Sequence, residues 1–445
     1  MDALSKFYQK LSQIASEKDE LTIPQAREVV RQINEFLYCT NPNETEQTQA
    51  LGTMWHYLSD FHKYWEQHHQ QILDCKIDDE KCKRVADALH GVYVLTKGKA
   101  FADIYSTAGL TKEQICQVRM LTANQDFRGS RSFTELAKIF NDDPSIFDVQ
   151  SIADDPSAFV KSLKILNLSQ TDKRDAYAKN IAGFVLAHNC SPYELIAKYN
   201  NNVFDFRNAL IECNGAGYGN KKADMLVRDM VVLKIWDNIT GFENIDVASD
   251  VNTIKVALRT GIIKTEIPLV SSFLDIFCHQ YAYIDEMNAK AWRRVWEIWC
   301  DNYPKEESLG SPCLIDYFVY GVIGKQFCKE SLAIFEGIEC GHRFPWHSTR
   351  NKKCQVCFKQ GLGRKDAKVV NTIMPCSSVE GKVAILQTDY VLSLPEGEKM
   401  EQCPFKDICG ENRKLMPPKS ISIMGRTGWT TTYAERGLGG GGLMA

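Results

Sequence analysis

Two glycine-bearing stretches, Cys213 to Asp224 and Asp250 to Gly261, limit this chain more than any other part of it. The first runs Cys213-Asn-Gly215-Ala-Gly217-Tyr-Gly219-Asn-Lys221-Lys222-Ala-Asp224. Before it, Asp205 to Glu212 reads as a short amphipathic helix. After it, Met225, Leu226, Met230, Val231 and Leu233 recur at helical spacing, so the glycines turn the chain between two helices. Glycine permits positive φ and close backbone approach. The unpaired N–H groups that open the second helix sit at the positive end of its dipole and suit a phosphate. In the second stretch Ser249 reads as an N-cap, with Asp250 in the first turn of a helix carrying Ile254, Val256, Ala257 and Leu258.

Together the two stretches resemble the helix-hairpin-helix DNA glycosylase superfamily. Its signature runs Gly-x-Gly-x-Lys-x-Ala, then Asp-x-His-x-x-Arg-Val-x-x-Arg-x-Gly. Here it reads Gly217-Tyr-Gly219-Asn-Lys221-Lys-Ala223, then Asp250-Val-Asn252-Thr-Ile-Lys255-Val256-Ala-Leu-Arg259-Thr-Gly261. Neither half needs a gap. The chain departs in two places: Asn252 replaces the usual histidine, and the Lys221-to-Asp250 connector is longer, with the extra residues expected in a loop from Asp237 to Ser249.

The resemblance spans roughly Leu110 to Trp299 and implies a mainly α fold. A two-lobed helix-hairpin-helix module is expected over 111–337, after a helical region at 1–110 and before a cysteine-rich, basic region at 338–445. The nearest branches are the 8-oxoguanine glycosylases and endonuclease III. By carry-over Lys221 and Asp250 are the catalytic pair, and Gly215, Gly217, Gly219 and Lys222 contact DNA. Leu121-Thr-Ala-Asn124-Gln125 resembles the family segment that fills the gap left by an extruded base, with a solvated polar pair as the plain alternative. Asp172 to Ala182 resembles the family's helix before the hairpin. The partner implied is duplex DNA with a damaged or modified base.

The chemistry needs those residue types. Breaking a glycosidic bond builds positive charge on the sugar, which a nearby carboxylate stabilises. A neutral amine can attack the sugar, displace the base and form a Schiff base. Lysine is neutral only when burial or positive neighbours depress its pKa. The competing reading is the same fold kept as a non-catalytic reader of damaged or modified DNA. Other hydrolase classes lack their marks: no Gly-x-Ser-x-Gly or Gly-x-x-x-x-Gly-Lys-Ser/Thr occurs.

Composition bounds the remainder. At 445 residues the chain has room for more than one domain. No apolar run nears the ~20 residues of a membrane span, and the start lacks a secretory core. The expected place is therefore inside a cell, cytoplasmic and nucleoid-associated or nuclear. A net charge of −3 means that nucleic acid must be met by a local basic patch. One such excess lies between Cys340 and Val370, with eight Lys/Arg against Asp366 alone. Sixteen cysteines in such a protein argue for thiols and metal ligands over disulfides.

Cys354-Gln-Val-Cys357 has knuckle spacing, and Cys340-Gly-His342 could complete a zinc ribbon. Cys403 and Cys409 resemble the last two ligands of the endonuclease III iron–sulfur loop, but Met400 occupies another ligand's place. The primary set is Cys354, Cys357, Cys403 and Cys409, with Cys340, His342 and Cys376 as alternates. Either a [4Fe–4S] cluster or zinc is expected, and no organic cofactor. His62, Glu66 and His69 share a helical face, where packing is the plainer reading. So is it for Trp292, Trp296 and Trp299. Cys313 to Cys328 reads as a buried helix.

Overall fold

Reciprocal caps set where helices begin. Thr111 accepts from the backbone of Gln114, whose side chain returns the bond, and Ser132 and Glu135 repeat the arrangement. Ser191 and Glu194 make the same exchange ahead of the short Leu195–Lys198 helix. The computed structural model describes residues 1–15, 21–34, 36, 46, 49, 55–102, 106–127, 131–165, 168, 170–266, 280–328, 332–346, 353–373 and 403–409. Among them helices dominate, and none is long and apolar enough to cross a membrane.

The chain divides into two compact units, not the three consecutive regions expected from sequence. One gathers described residues of 1–89, 251–291 and 319–444; the other holds 90–250 and 292–318. A chain that leaves a unit and returns to it shows no composition shift at the crossing.

In the first unit the helices Ala3–Ala15, Ile23–Asn34 and Trp55–Leu73 bury Phe7, Leu11, Val29, Val30 and Trp65. Arg27 donates to the carbonyls of Gln71 (2.8 Å) and Ile72 (2.9 Å), satisfying the last turn of the third helix. The Val251–Thr260 helix buries Ile254, Val256 and Ala257. Three antiparallel strands follow, with Leu332–Gly337 in the centre between Arg343–Trp346 and Ala367–Ile373.

The second unit is a helical core built from Lys112–Thr122, Phe133–Asp142, Thr171–Ala187, Val203–Glu212 and Asn220–Val232. Phe147, Phe206, Leu226 and Met230 are fully covered there. Buried charges are paired: Arg119 meets Asp229 at 2.8 Å, and Arg228 bonds both Asp229 and Asp316. Trp292 and Trp299 are buried, and the indoles of Trp296 and Trp299 donate to Leu309 O and Glu307 O. The tryptophan face is core. The apolar segment after Cys313 opens as the α-helix Leu314–Tyr317 but continues as a π-helix over Phe318–Phe327, wider than the helix expected.

Candidate active site and metal centre

Asn202 starts the first hairpin helix, its Oδ1 accepting from the backbone of Phe204 and Asp205. The turn then needs its glycines for a reason internal to the protein. Gly215 and Gly217 have φ of 75° and 76°. A Cβ at Gly215 would lie 2.5 Å from Asn180 Nδ2, and one at Gly217 would enter the Tyr177 ring. Asn180 also donates to Gly215 O at 3.0 Å. The close approach that these two glycines allow is to the Thr171–Ala187 helix. Gly219 differs. Its extended backbone caps the Asn220–Val232 helix without a side-chain bond and has open space where a Cβ would be.

Lys221 stands in the first turn of that helix. Its Nζ lies 3.7 Å from Asp250 Oδ2, with the lysine side chain 49% exposed and the aspartate 10%. The long connector makes this meeting definite. Thr240 exchanges backbone bonds with Asn201 and Val203, and Ile245, Val247 and Ala248 are buried. Ile245 O accepts from Ser311 Oγ (2.9 Å) and Cys313 N (3.2 Å), and Asp246 pairs with Arg293 at 2.7 Å. The extra residues form a pinned strap. The following helix opens at Val251, directly after Asp250.

Lys222 points elsewhere. Its Nζ donates to Asn124 O at 2.7 Å and lies 4.8 Å from the Phe127 ring centroid and 5.7 Å from that of Tyr177. Burial, aided by Lys221, Arg174 and Lys173 and opposed by Asp126, takes its pKa down to about 8. Lys222 braces the hairpin against Asn124, Phe127 and Tyr177. Asn124 and Gln125 are both buried. The Asn124 amide donates to Tyr177 O (3.1 Å) and Ala216 O (2.9 Å), and that of Gln125 to Arg174 O (3.1 Å). They tie the hairpin turn to its neighbouring helix.

Sequence reading passed over two acids here. Asp224 is clamped by Arg207 at 2.7 Å, and burial takes its carboxyl up to about 6 against that partner. Burial likewise takes Asp316 up to about 7, opposed by Arg228, and the charges of Asp250 and Lys221 also reach it. An acid inside the apolar run after Cys313 was the available signal.

The candidate metal centre lies in the first unit. Cys340 and His342 occupy the turn between Leu332–Gly337 and Arg343–Trp346, while Cys354 caps the Gln355–Lys359 helix that carries Cys357. Their four donor atoms all lie within 4.8 Å of one another. Cys340 Sγ is 3.6 Å from Cys354 Sγ, and Cys357 Sγ is 3.5 Å from His342 Nδ1. Bonds of ~2.3 Å to sulfur and ~2.0 Å to nitrogen in a tetrahedron give edges of this size. A Cβ at Gly337 would collide with Cys340 Sγ, so glycine leaves the room the cluster needs. The group can hold a metal ion such as zinc.

Cys403 and Cys409 are buried in a separate turn. Arg84 donates to Asp407 O (2.7 Å) and Lys81 to Ile408 O (3.5 Å) there. Among the described residues these two cysteines do not join the four-donor cluster. This corrects the primary ligand set: Cys340 and His342 take their places. Cys376 and the side chain of His62 lie outside the described residues. His69 Nδ1 is 3.1 Å from Trp65 O and from Glu66 O, so it faces its own helix's carbonyls.

No protein-family model, curated protein or solved structure matches this chain.

Proposed function

We propose that the chain is a DNA glycosylase of the helix-hairpin-helix class that extrudes a damaged or modified base and cleaves it with Lys221 and Asp250. One observation carries the reading: Lys221 Nζ lies 3.7 Å from Asp250 Oδ2, although a pinned connector separates them in sequence. The open end of the Asn220–Val232 helix, beside Lys221, offers N–H groups to a backbone phosphate.

The step balances on these groups. The Lys221 amine, once deprotonated, forms a bond to C1′ of the deoxyribose. The glycosidic bond breaks, and its electron pair leaves with the base, which takes up a proton. Bond breaking runs ahead of bond making, and Asp250 stabilises the positive charge that the sugar carries in between. The nitrogen then loses a proton and its lone pair expels O4′, which takes up a proton as the sugar ring opens, leaving the Schiff base from which the strand can be cut. Extruding the base costs roughly a few kcal/mol, least at a damaged pair.

We assign zinc, not an iron–sulfur cluster, to Cys340, His342, Cys354 and Cys357. Three thiolates and an imidazole at tetrahedral spacing are a closed structural zinc set, whereas four cysteines are the common cluster set. Bound zinc would cross-link the ribbon and leave the chemistry to the hairpin. Freshly purified protein should show no absorbance band near ~400 nm; such a band would return the iron–sulfur assignment.

A panel of duplexes carrying oxidised, deaminated or alkylated bases tests the enzymatic reading. Release of one of these bases, lost in Asp250→Asn, is the expected result. Tight duplex binding with no base released from any lesion would instead make the hairpin a non-catalytic reader of damaged or modified DNA.

A further inference from the structure

We infer that the metal ribbon carries a second nucleic-acid site, one that stacks an unpaired base of a single strand on Phe358. The observations are independent of Lys221 and Asp250. Phe358 directly follows the ligand Cys357 and is 54% exposed, and nearby Leu362 is 57% exposed. An aromatic ring beside a cross-linked knuckle is held in place without being used in a core. Phe358 N donates to Cys354 O (3.1 Å) and Leu362 N to Cys357 O (2.9 Å), so the ligands fix the backbone on both sides.

The surroundings of the ring suit a nucleotide. A cleft of about 260 Å³ is lined by Lys353, Gln355, Phe358 and Arg364. The volume falls below the ~300–1,000 Å³ of pockets for drug-sized ligands, so it fits one planar group. The Arg364 guanidinium lies 5.7 Å from the Phe358 centroid. That offers a base one face to stack on and a cation at its edge for the adjoining phosphate. Gln355 donates through Nε2 to Lys353 O at 3.3 Å, which holds its amide in place, and its amide oxygen can accept from a base edge. Lys353 pairs with Asp366 at 2.5 Å, the one acid among eight Lys/Arg from Cys340 to Val370. The charge excess selects a polyanion, and the exposed ring selects one with unstacked bases. In a duplex those faces are already covered.

The full-length, metal-loaded protein can be titrated into fluorescein-labelled oligothymidylate while anisotropy is followed. Phe358→Ala should weaken binding about tenfold, and Phe358→Trp should restore it. Arg364→Gln should also weaken binding and reduce the slope of log affinity against log salt by about one contact. Metal content, measured on each variant, shows that the ribbon is intact. Unchanged affinity in Phe358→Ala with its metal retained overturns the proposal, and so does a native chain that ignores oligothymidylate. Base release plays no part in the readout, so the result stands whether or not Lys221 is a nucleophile.

Discussion

Two adjacent lysines meet opposite environments. Lys221 is half exposed beside a largely covered carboxylate, whereas Lys222 is drawn under Asn124, Phe127 and Tyr177. Burial leaves Lys222 with a folded pKa of about 8 against an ordinary 10.5. Between those values the unfolded chain binds the extra proton, so this group's contribution to stability rises with pH. Denaturant midpoints taken from pH 8 to 10.5 should therefore climb in the native chain relative to Lys222→Met, which lacks the titration. A constant difference between the two would mean that Lys222 keeps its ordinary pKa. Gly217 is the second residue with a definite cost. Its φ of 76° and the Tyr177 ring leave no room for a Cβ. Gly217→Ala should destabilise the chain by at least ~1–3 kcal/mol, read as a lower Tm. The same substitution at Gly219, extended and open, should change it far less.

At the scale of elements, the hairpin and the ribbon each stand on local spacing, and both were legible for that reason. The glycines, Lys221 and the cysteine pair Cys354/Cys357 lie close along the chain, where pattern and geometry coincide. Cys340-Gly-His342 could be read as the ribbon's other half because it too is local. What spacing hid was long-range. The contacts of Lys222 with Phe127 and Tyr177 were not legible, because those rings come from remote segments. Cys403 and Cys409 have a familiar separation, yet separation does not say where their turn lies, and Arg84 and Lys81 hold it elsewhere. If the ribbon is a metal fold, purified protein should carry one zinc per chain by elemental analysis. Cys354→Ser should lose it and make the 332–373 segment sensitive to protease. Full protease resistance without metal would remove the centre from the account.

For the whole molecule, charge gives little guidance, since a net −3 leaves no overall attraction to DNA. On the proposed function, DNA would be met locally, and the salt dependence of binding should reflect a few contacts, not a general field. The division into two discontinuous units is the feature least visible beforehand, because nothing in composition marks where a chain leaves a core and returns to it. Within the second unit, the strap from Asp237 to Ser249 is what brings Asp250 to Lys221, and the account depends on that meeting. Borohydride reduction in the presence of abasic-site DNA tests it most directly. The native chain should be captured as a covalent adduct, and Lys221→Gln should reduce capture to background while Lys222→Met retains it. Equal capture of native protein and Lys221→Gln, or none with native protein, would contradict the assignment of Lys221 as the nucleophile.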